Sequence, residues 1–254
     1  MKFRALLFLS ILVLCTSSCS RGIQSKGLYV YPFNTPPVEE VKRAYHASIA
    51  ILKKGSLTGL HYVTAAATIL KWEEGKPVVL LSSCHIVDKE DNGQLEAGLP
   101  TQDEDDDGEK LINFYIKFPI KVKACDTSTD LALFESTEPA VADGPSVKVA
   151  PINSLIGDFV WHIGSPGGRA RTVAPGYIVA LLKPLPPRPL CYRSNITIDF
   201  GSSGGGIFNT RGELVGVTRS HHLRAFGVPV PFTALHVHTS VIRDFLAKHD
   251  SSLL

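Results

Sequence analysis

The chemistry in this chain begins at Gly201-Ser202-Ser203-Gly204-Gly205, where a serine stands among glycines between two apolar segments, Asn195 to Ile198 and Leu214 to Val217. Flanks of strand type make this run a buried tight loop rather than a linker. A serine held there suits acyl transfer, because glycine lets the backbone turn sharply and lets a substrate carbonyl approach bare amide N–H groups. Ser203 is the candidate nucleophile. A serine hydroxyl needs a base within hydrogen-bond reach, and that base needs a third group to orient it.

Two upstream stretches carry groups of the required kind. In Val78 to Val87 an apolar strand delivers His85 at its end, and none of the other eight histidines is so placed. In Cys125 to Phe134, Asp130 immediately precedes the apolar run Leu131-Ala132-Leu133-Phe134. A carboxylate drawn toward the interior needs a partner. A hydrogen bond to one ring nitrogen of His85 would supply it, fix the tautomer and stabilise the imidazolium. Each residue alone has a plainer reading: a core histidine satisfied by hydrogen bonds, and Asp126 or Asp130 capping a turn.

Gly201 to Gly205 also fits Gly-x-Ser-x-Gly, the nucleophile elbow in which a helix follows the serine and an acid and a histidine come later. Here Ser203 is followed by glycines, an apolar pair and Asn209-Thr210-Arg211-Gly212, which is hairpin chemistry. The order is therefore histidine, aspartate, serine.

The elements that must position these groups are short and of β type. They include Ala47 to Leu52, Tyr62 to Leu70, Pro77 to Ser82, Leu111 to Val122, Leu131 to Phe134 and Ser146 to Ala150. Phe159 to Ile163, Arg171 to Leu182, Asn195 to Ile198, Leu214 to Val217 and Phe226 to Val230 follow. Many short strands separated by turn signals imply an all-β barrel or sandwich. Only Thr239 to His249 reads as a helix, with Ser240 or Thr239 as cap and Val241, Ile242, Phe245 and Leu246 in one stripe. No internal repeat is present.

Taken together, these segments resemble the chymotrypsin-fold (trypsin-like) serine peptidases, and within them the bacterial Deg-type protease domains, from about His46 to Leu246. Ser82-Ser83-Cys84-His85-Ile86-Val87 resembles Thr-x-x-His-Val-Val, Asp126 to Leu133 resembles Asp-x-x-x-Asp-Leu-Ala-Leu, and Gly201 to Gly205 matches Gly-Asn-Ser-Gly-Gly. Ile163-Gly164-Ser165-Pro166, Thr172 to Val179, Gly212 to Val217 and Phe226 to Pro231 resemble further family motifs. The resemblance implies two six-stranded antiparallel β-barrels with a short C-terminal helix, the first carrying His85 and Asp130 and the second Ser203. It implies a serine endopeptidase with an oxyanion hole from the N–H groups of Gly201 and Ser203, and a primary pocket lined by Thr197, Gly216, Val217 and Thr218. The rival reading is a catalytically silent trypsin-fold module that binds a peptide or protein.

The chain departs from the family in having Ala65-Ala66-Ala67 where a glycine-rich stretch is usual, and Gly206 beside the serine loop, where an extra glycine would loosen it. The peptide-binding PDZ domain of larger Deg-type proteins is not expected in the residues after the second barrel. Arg219 with His221-His222 reads as a preference for acidic substrate residues or as a plain surface loop.

Residues 1–18 read as a secretory signal: basic Lys2 and Arg4, an apolar core from Ala5 to Leu14, then small residues. That core is too short to span a bilayer, which needs ~20 residues. Cys19 resembles the acceptor of a bacterial lipoprotein signal, so lipidation and plain release are both open. Residues 19–40 read as a tether, 41–150 as the first barrel and 151–254 as the second with its helix. The expected location is the periplasm or cell envelope, or outside the cell.

The chain holds 26 basic and 24 acidic residues. Loss of Lys2 and Arg4 with the signal leaves a neutral balance, and with it no electrostatic case for nucleic acid or a membrane surface. The expected partner is a peptide or unfolded protein, and membrane contact only through an anchor at Cys19. No cofactor is called for. Asp103 to Gly108 has the start of a calcium loop, but Phe114 stands where glutamate is needed, and it reads as a solvated acidic loop. His236-Val237-His238 has no third ligand, so it reads as solvated or capping, and no metal is expected. Cys84 and Cys125 each lie near a candidate residue, which leaves a bridge or two small buried hydrophobes as the readings.

Overall fold

Pro77–Ser82 carries no charged side chain and is buried from Val78 onward, a pattern that suits a strand covered on both faces. Closing the sheet into a barrel covers one of those faces, and packing against the rest of the fold covers the other. The computed structural model describes residues 39–54, 61–87, 95–104, 110–168, 171–183, 188–221, 224–225, 228–229 and 232–254.

A helix, α1 (Glu39–His46), leads into β1 (Ser48–Lys54), followed by β2 (His61–Lys71), β3 (Pro77–Ser82), β4 (Leu95–Glu104), β5 (Lys110–Asp126) and β6 (Leu131–Pro139). These six strands close an antiparallel barrel in the order β1-β2-β3-β6-β5-β4. Strands β7 (Phe159–Gly164), β8 (Thr172–Leu182), β9 (Cys191–Ser194), β10 (Gly206–Phe208), β11 (Leu214–His221) and β14 (Ala234–His238) close a second, in the order β10-β11-β14-β9-β8-β7. A small ribbon, β12 (Arg224–Ala225) with β13 (Val228–Pro229), projects between β11 and β14 in sequence. Helix α2 (Thr239–His249) ends the fold.

The expected all-β class with two six-stranded barrels and a C-terminal helix is what the chain forms. One apolar cluster fills the first barrel with Leu80, Leu81 and Leu133 and continues to Ile163 and Phe208 of the second. Burial of α2 at Ile242, Phe245 and Leu246 extends the same cluster. A smaller cluster of Val160, Ile178, Ile207 and Val215 fills the second barrel. Consecutive residues Ile207 and Phe208 serve different clusters because strand side chains alternate in direction.

Several local expectations need correction. Glu39–His46 is helical, so Thr239 to His249 is not the sole helix; Val41 and Ala44 are its buried face. Ser146 to Ala150 is not a strand but forms a single bridge, Val149 to Leu214. The last strand before the serine loop is Cys191–Ser194 rather than Asn195 to Ile198, because Asn195 turns its side-chain oxygen onto the Tyr177 N–H at 2.7 Å. The cap of α2 is His238, whose Nδ1 accepts from the Ser240 N–H at 3.1 Å. Residues 1–38, with the expected signal, Cys19 and most of the expected tether, lie outside the described residues, as do 105–109 of the expected acidic loop and His222.

Candidate active site

The apolar strand β3 stops at Ser82 and hands the chain to one 3-10 turn, Cys84–Ile86, that carries His85 to the barrel rim. Cys84 is bridged to Cys125 at the end of β5, with 5.3 Å between their Cα atoms. The bridge, and not a pair of free buried thiols, joins the histidine segment to the turn that precedes β6. In that turn Asp126 accepts from the Ser128 N–H at 2.9 Å and its hydroxyl at 2.6 Å. The Ser128 hydroxyl bond is the main influence that lowers the Asp126 pKa. Asp126 is thus the turn-capping carboxylate.

Asp130 has a different environment. Its backbone sits at φ 59°, a left-handed conformation that aspartate tolerates better than most residues. Its carbonyl accepts from the Cys84 N–H at 3.2 Å and its Oδ1 from the His85 N–H at 2.9 Å. Both carboxylate oxygens lie 2.9 Å from His85 Nδ1. On the other side of the ring, His85 Nε2 is 3.0 Å from Ser203 Oγ. Aspartate, imidazole and hydroxyl form one hydrogen-bonded line across the two barrels. The aspartate end is buried and the imidazole is 44% exposed, so the line opens to solvent at its serine end.

Ser203 is held by the loop between β9 and β10. Gly201 and Gly204 have φ of 89° and 80°, and a Cβ at Gly204 would collide with Ser82 Oγ and the Ala66 carbonyl. Glycine at these places is a requirement of space and backbone together. The Ser203 carbonyl accepts from the Ala66 N–H at 2.8 Å. Ala65, Ala66 and Ala67 are fully buried, and their small side chains let β2 come against the loop. The Phe200 carbonyl accepts from the Gly167 N–H at 2.6 Å. Because a trans peptide sets its N–H opposite its carbonyl, the Gly201 N–H points away from Gly167. Gly206 does not loosen this loop: it pairs with Ile163 and Val217, and a Cβ there would strike the Phe208 ring.

Of the residues expected to line the pocket, Thr218 is tied to the serine loop: its carbonyl accepts from Gly204 and its N–H donates to Gly205, at 2.8 and 2.7 Å. Ser83 Oγ also donates to that carbonyl, at 3.0 Å, from the first barrel. Gly216 and Val217 belong to the wall of the second barrel, with Val217 fully buried, while Thr197 is exposed. Arg219, assigned from sequence to substrate or surface, donates from Nε to Asp130 Oδ2 at 3.1 Å. The signal available was a cation next to the threonine of β11, but nothing in its spacing named an aspartate 89 residues away.

Below the loop lies a polar pair. His236 is fully buried rather than solvated, its Nδ1 3.0 Å from Thr218 Oγ1 and its Nε2 2.7 Å from Ser194 Oγ. His162, packed against Gly205 and Gly164, has its pKa lowered to about 4 by burial, with the Ser202 backbone opposing. His236 is lowered well below its usual value by burial and by His162. Both imidazoles are neutral at neutral pH.

The sequence profile of the family described as trypsin-like peptidase domain matches residues 63–217. A probable periplasmic serine endoprotease, DegP-like, from Marinomonas sp. is 34% identical over 116 residues, covering 44% of this chain and 24% of that protein. The periplasmic serine endoprotease DegP of Salmonella typhimurium is 31% identical over 105 residues, 40% of this chain and 22% of that protein. The alignments thus span less than a quarter of either relative. A solved HtrA-type protease, AlgW with a Ser-to-Ala substitution and a tripeptide, superposes with a TM-score of 0.59 at 19% identity, covering 82% of this chain and 62% of its own. With the family profile matched over more than half its length, the chain belongs to the trypsin-like peptidase domain family, and its likeness there is to Deg- and HtrA-type proteins.

Proposed function

We propose that this chain is an exported serine endopeptidase that cleaves peptide or unfolded protein chains with His85, Asp130 and Ser203. The observation that carries the reading is the 3.0 Å approach of His85 Nε2 to Ser203 Oγ with Asp130 behind the ring. His85 takes the hydroxyl proton as Ser203 Oγ attacks the scissile carbonyl, then gives that proton to the leaving amine. Asp130 holds the tautomer that leaves Nε2 free to accept, and offsets the charge of the imidazolium. The N–H groups of Gly201 and Ser203 receive the developing oxyanion; loss of one such donor costs about a hundredfold or more. Water then hydrolyses the acyl-enzyme by the same proton path in reverse.

Thr197 and the β11 segment from Gly216 to Thr218 are the proposed walls of the primary pocket, and none of these four residues is an acid that would select lysine or arginine. Export is supported by the leader-like residues 1–18 and by relatives named as periplasmic. Cys19 is the proposed lipid acceptor, which would hold the barrels at an envelope membrane.

The test is hydrolysis of fluorescein-labelled casein by the purified chain. Ser203→Ala and His85→Ala are each expected to lower the rate by about three orders of magnitude or more. Undiminished cleavage by a folded Ser203→Ala chain would refute the assignment, and a folded wild type without turnover would favour the silent binding module.

A further inference from the structure

Against β14, strand β11 is in register from Gly216 to Thr218, which pairs with His236, and in register again from Ser220, which pairs with Leu235. Arg219 is the extra residue between them. A bulge of this kind bends its strand and re-aims a side chain, and here it turns a guanidinium out of the second barrel toward the carboxylate of the first. Arg219 Nε donates to Asp130 Oδ2 at 3.1 Å, the oxygen that also lies 2.9 Å from His85 Nδ1. Its partner is almost sealed, with the Asp130 side chain 6% exposed against 26% for Arg219.

Three N–H groups therefore converge on one carboxylate: the His85 amide on Oδ1, the His85 ring, and the Arg219 guanidinium on Oδ2. The first two come from one residue: the His85 amide holds Oδ1, and the ring nitrogen is shared at 2.9 Å between the two oxygens. The Arg219 guanidinium anchors Oδ2 from a separate element, in a planar geometry that an ammonium on a flexible stem reproduces less well. It also supplies the opposite charge that a buried carboxylate requires. Burial raises the pKa of the Cys191 thiol to about 11, outweighing the charge and hydrogen bond of Arg219, which lower it, so the thiol stays neutral beside the pair.

Taking the proposed function as the frame, we infer that Arg219 is a positioning residue that locks the Asp130 carboxylate against His85 from the second barrel. The pair also makes the aspartate's orientation depend on how the barrels sit together. Arg219 touches no reacting atom, so its effect falls on turnover and not on substrate capture.

The test uses the full chain with Arg219→Gln and Arg219→Lys. The low-field proton resonance of the His85 Nδ1–H, identified by its absence in His85→Ala, reads the geometry directly. In a Ser203→Ala background, Arg219→Gln should broaden or move that resonance, and Arg219→Lys should restore much of it. An unchanged resonance in a folded Arg219→Gln chain would overturn the inference. Because this arm needs no turnover, it decides the matter even if the wild type hydrolyses nothing and the functional reading fails. With an active wild type, Arg219→Gln should lower kcat at least tenfold, short of the ~10⁴ that an altered aspartate costs. KM should hold within about twofold and Arg219→Lys should recover part of kcat. A change in KM alone would contradict a positioning role.

Discussion

The N–H of Ala66, in the first barrel, donates to the carbonyl of Ser203, in the second, at 2.8 Å. The candidate nucleophile is therefore held by the barrel that carries its candidate base. Ser82 Oγ donates to the Ala66 carbonyl at 2.7 Å and Ser83 Oγ to the Thr218 carbonyl at 3.0 Å. These bonds form a polar seam directly under the His85 to Ser203 line.

The seam leaves no room for a side chain at Gly204, where a Cβ would meet Ser82 Oγ and the Ala66 carbonyl. Gly204→Ala should push the barrels apart locally and lower stability by about 2 kcal/mol or more, since it combines overpacking with a left-handed backbone. Ser82→Ala removes one bond and should cost about 1 kcal/mol. Urea unfolding of the three proteins checks both values; a Gly204→Ala chain as stable as wild type would disprove the close approach.

The bridge from Cys84 to Cys125 closes a loop with a sequence separation of 41. On the chain-entropy view, a loop of this size is worth about 4 kcal/mol. Dithiothreitol, or Cys84→Ala with Cys125→Ala, should lower the unfolding midpoint, and the turn carrying Asp130 should gain hydrogen exchange. Equal midpoints with and without reductant would mean that the bridge does not form.

Acid should weaken the fold through the buried imidazoles. His162 is lowered from 6.5 to about 4 in the folded state by burial, so the unfolded chain binds its proton more tightly. Stability is full above pH 6.5 and falls with pH until about pH 4, where the loss from His162 alone reaches about 3 kcal/mol. His236 acts in the same direction. The lowered carboxylate of Asp250, held chiefly by Lys123, adds a loss of the same sign at still lower pH. Urea titrations between pH 4 and 7 check this; a flat stability across that range would show that the imidazoles under the serine loop are not buried neutral.

How much of this was legible in the sequence depended on how each residue is delivered. His85 and Asp130 flank long apolar strands, and Ser203 lies among glycines whose backbone demands are local, so all three could be picked out one segment at a time. Arg219 could not, because its partner is fixed by a bulge and by the contact of two barrels. Strand β10 is three residues long, too short to show alternation, and β14 was hidden by its polar His236 and His238. Both histidines are buried through hydrogen bonds that join distant strands and the start of α2. The three alanines of β2 stood out as a departure, and only the structure relates their size to the approach of Ser203.

The most direct test of the central claim is reaction of purified residues 20–254 with a fluorophosphonate, followed by peptide mapping. The account predicts one adduct, on Ser203, formed by wild type and lost in both Ser203→Ala and His85→Ala. An adduct on another residue, or labelling of Ser203 that persists without His85, would contradict it.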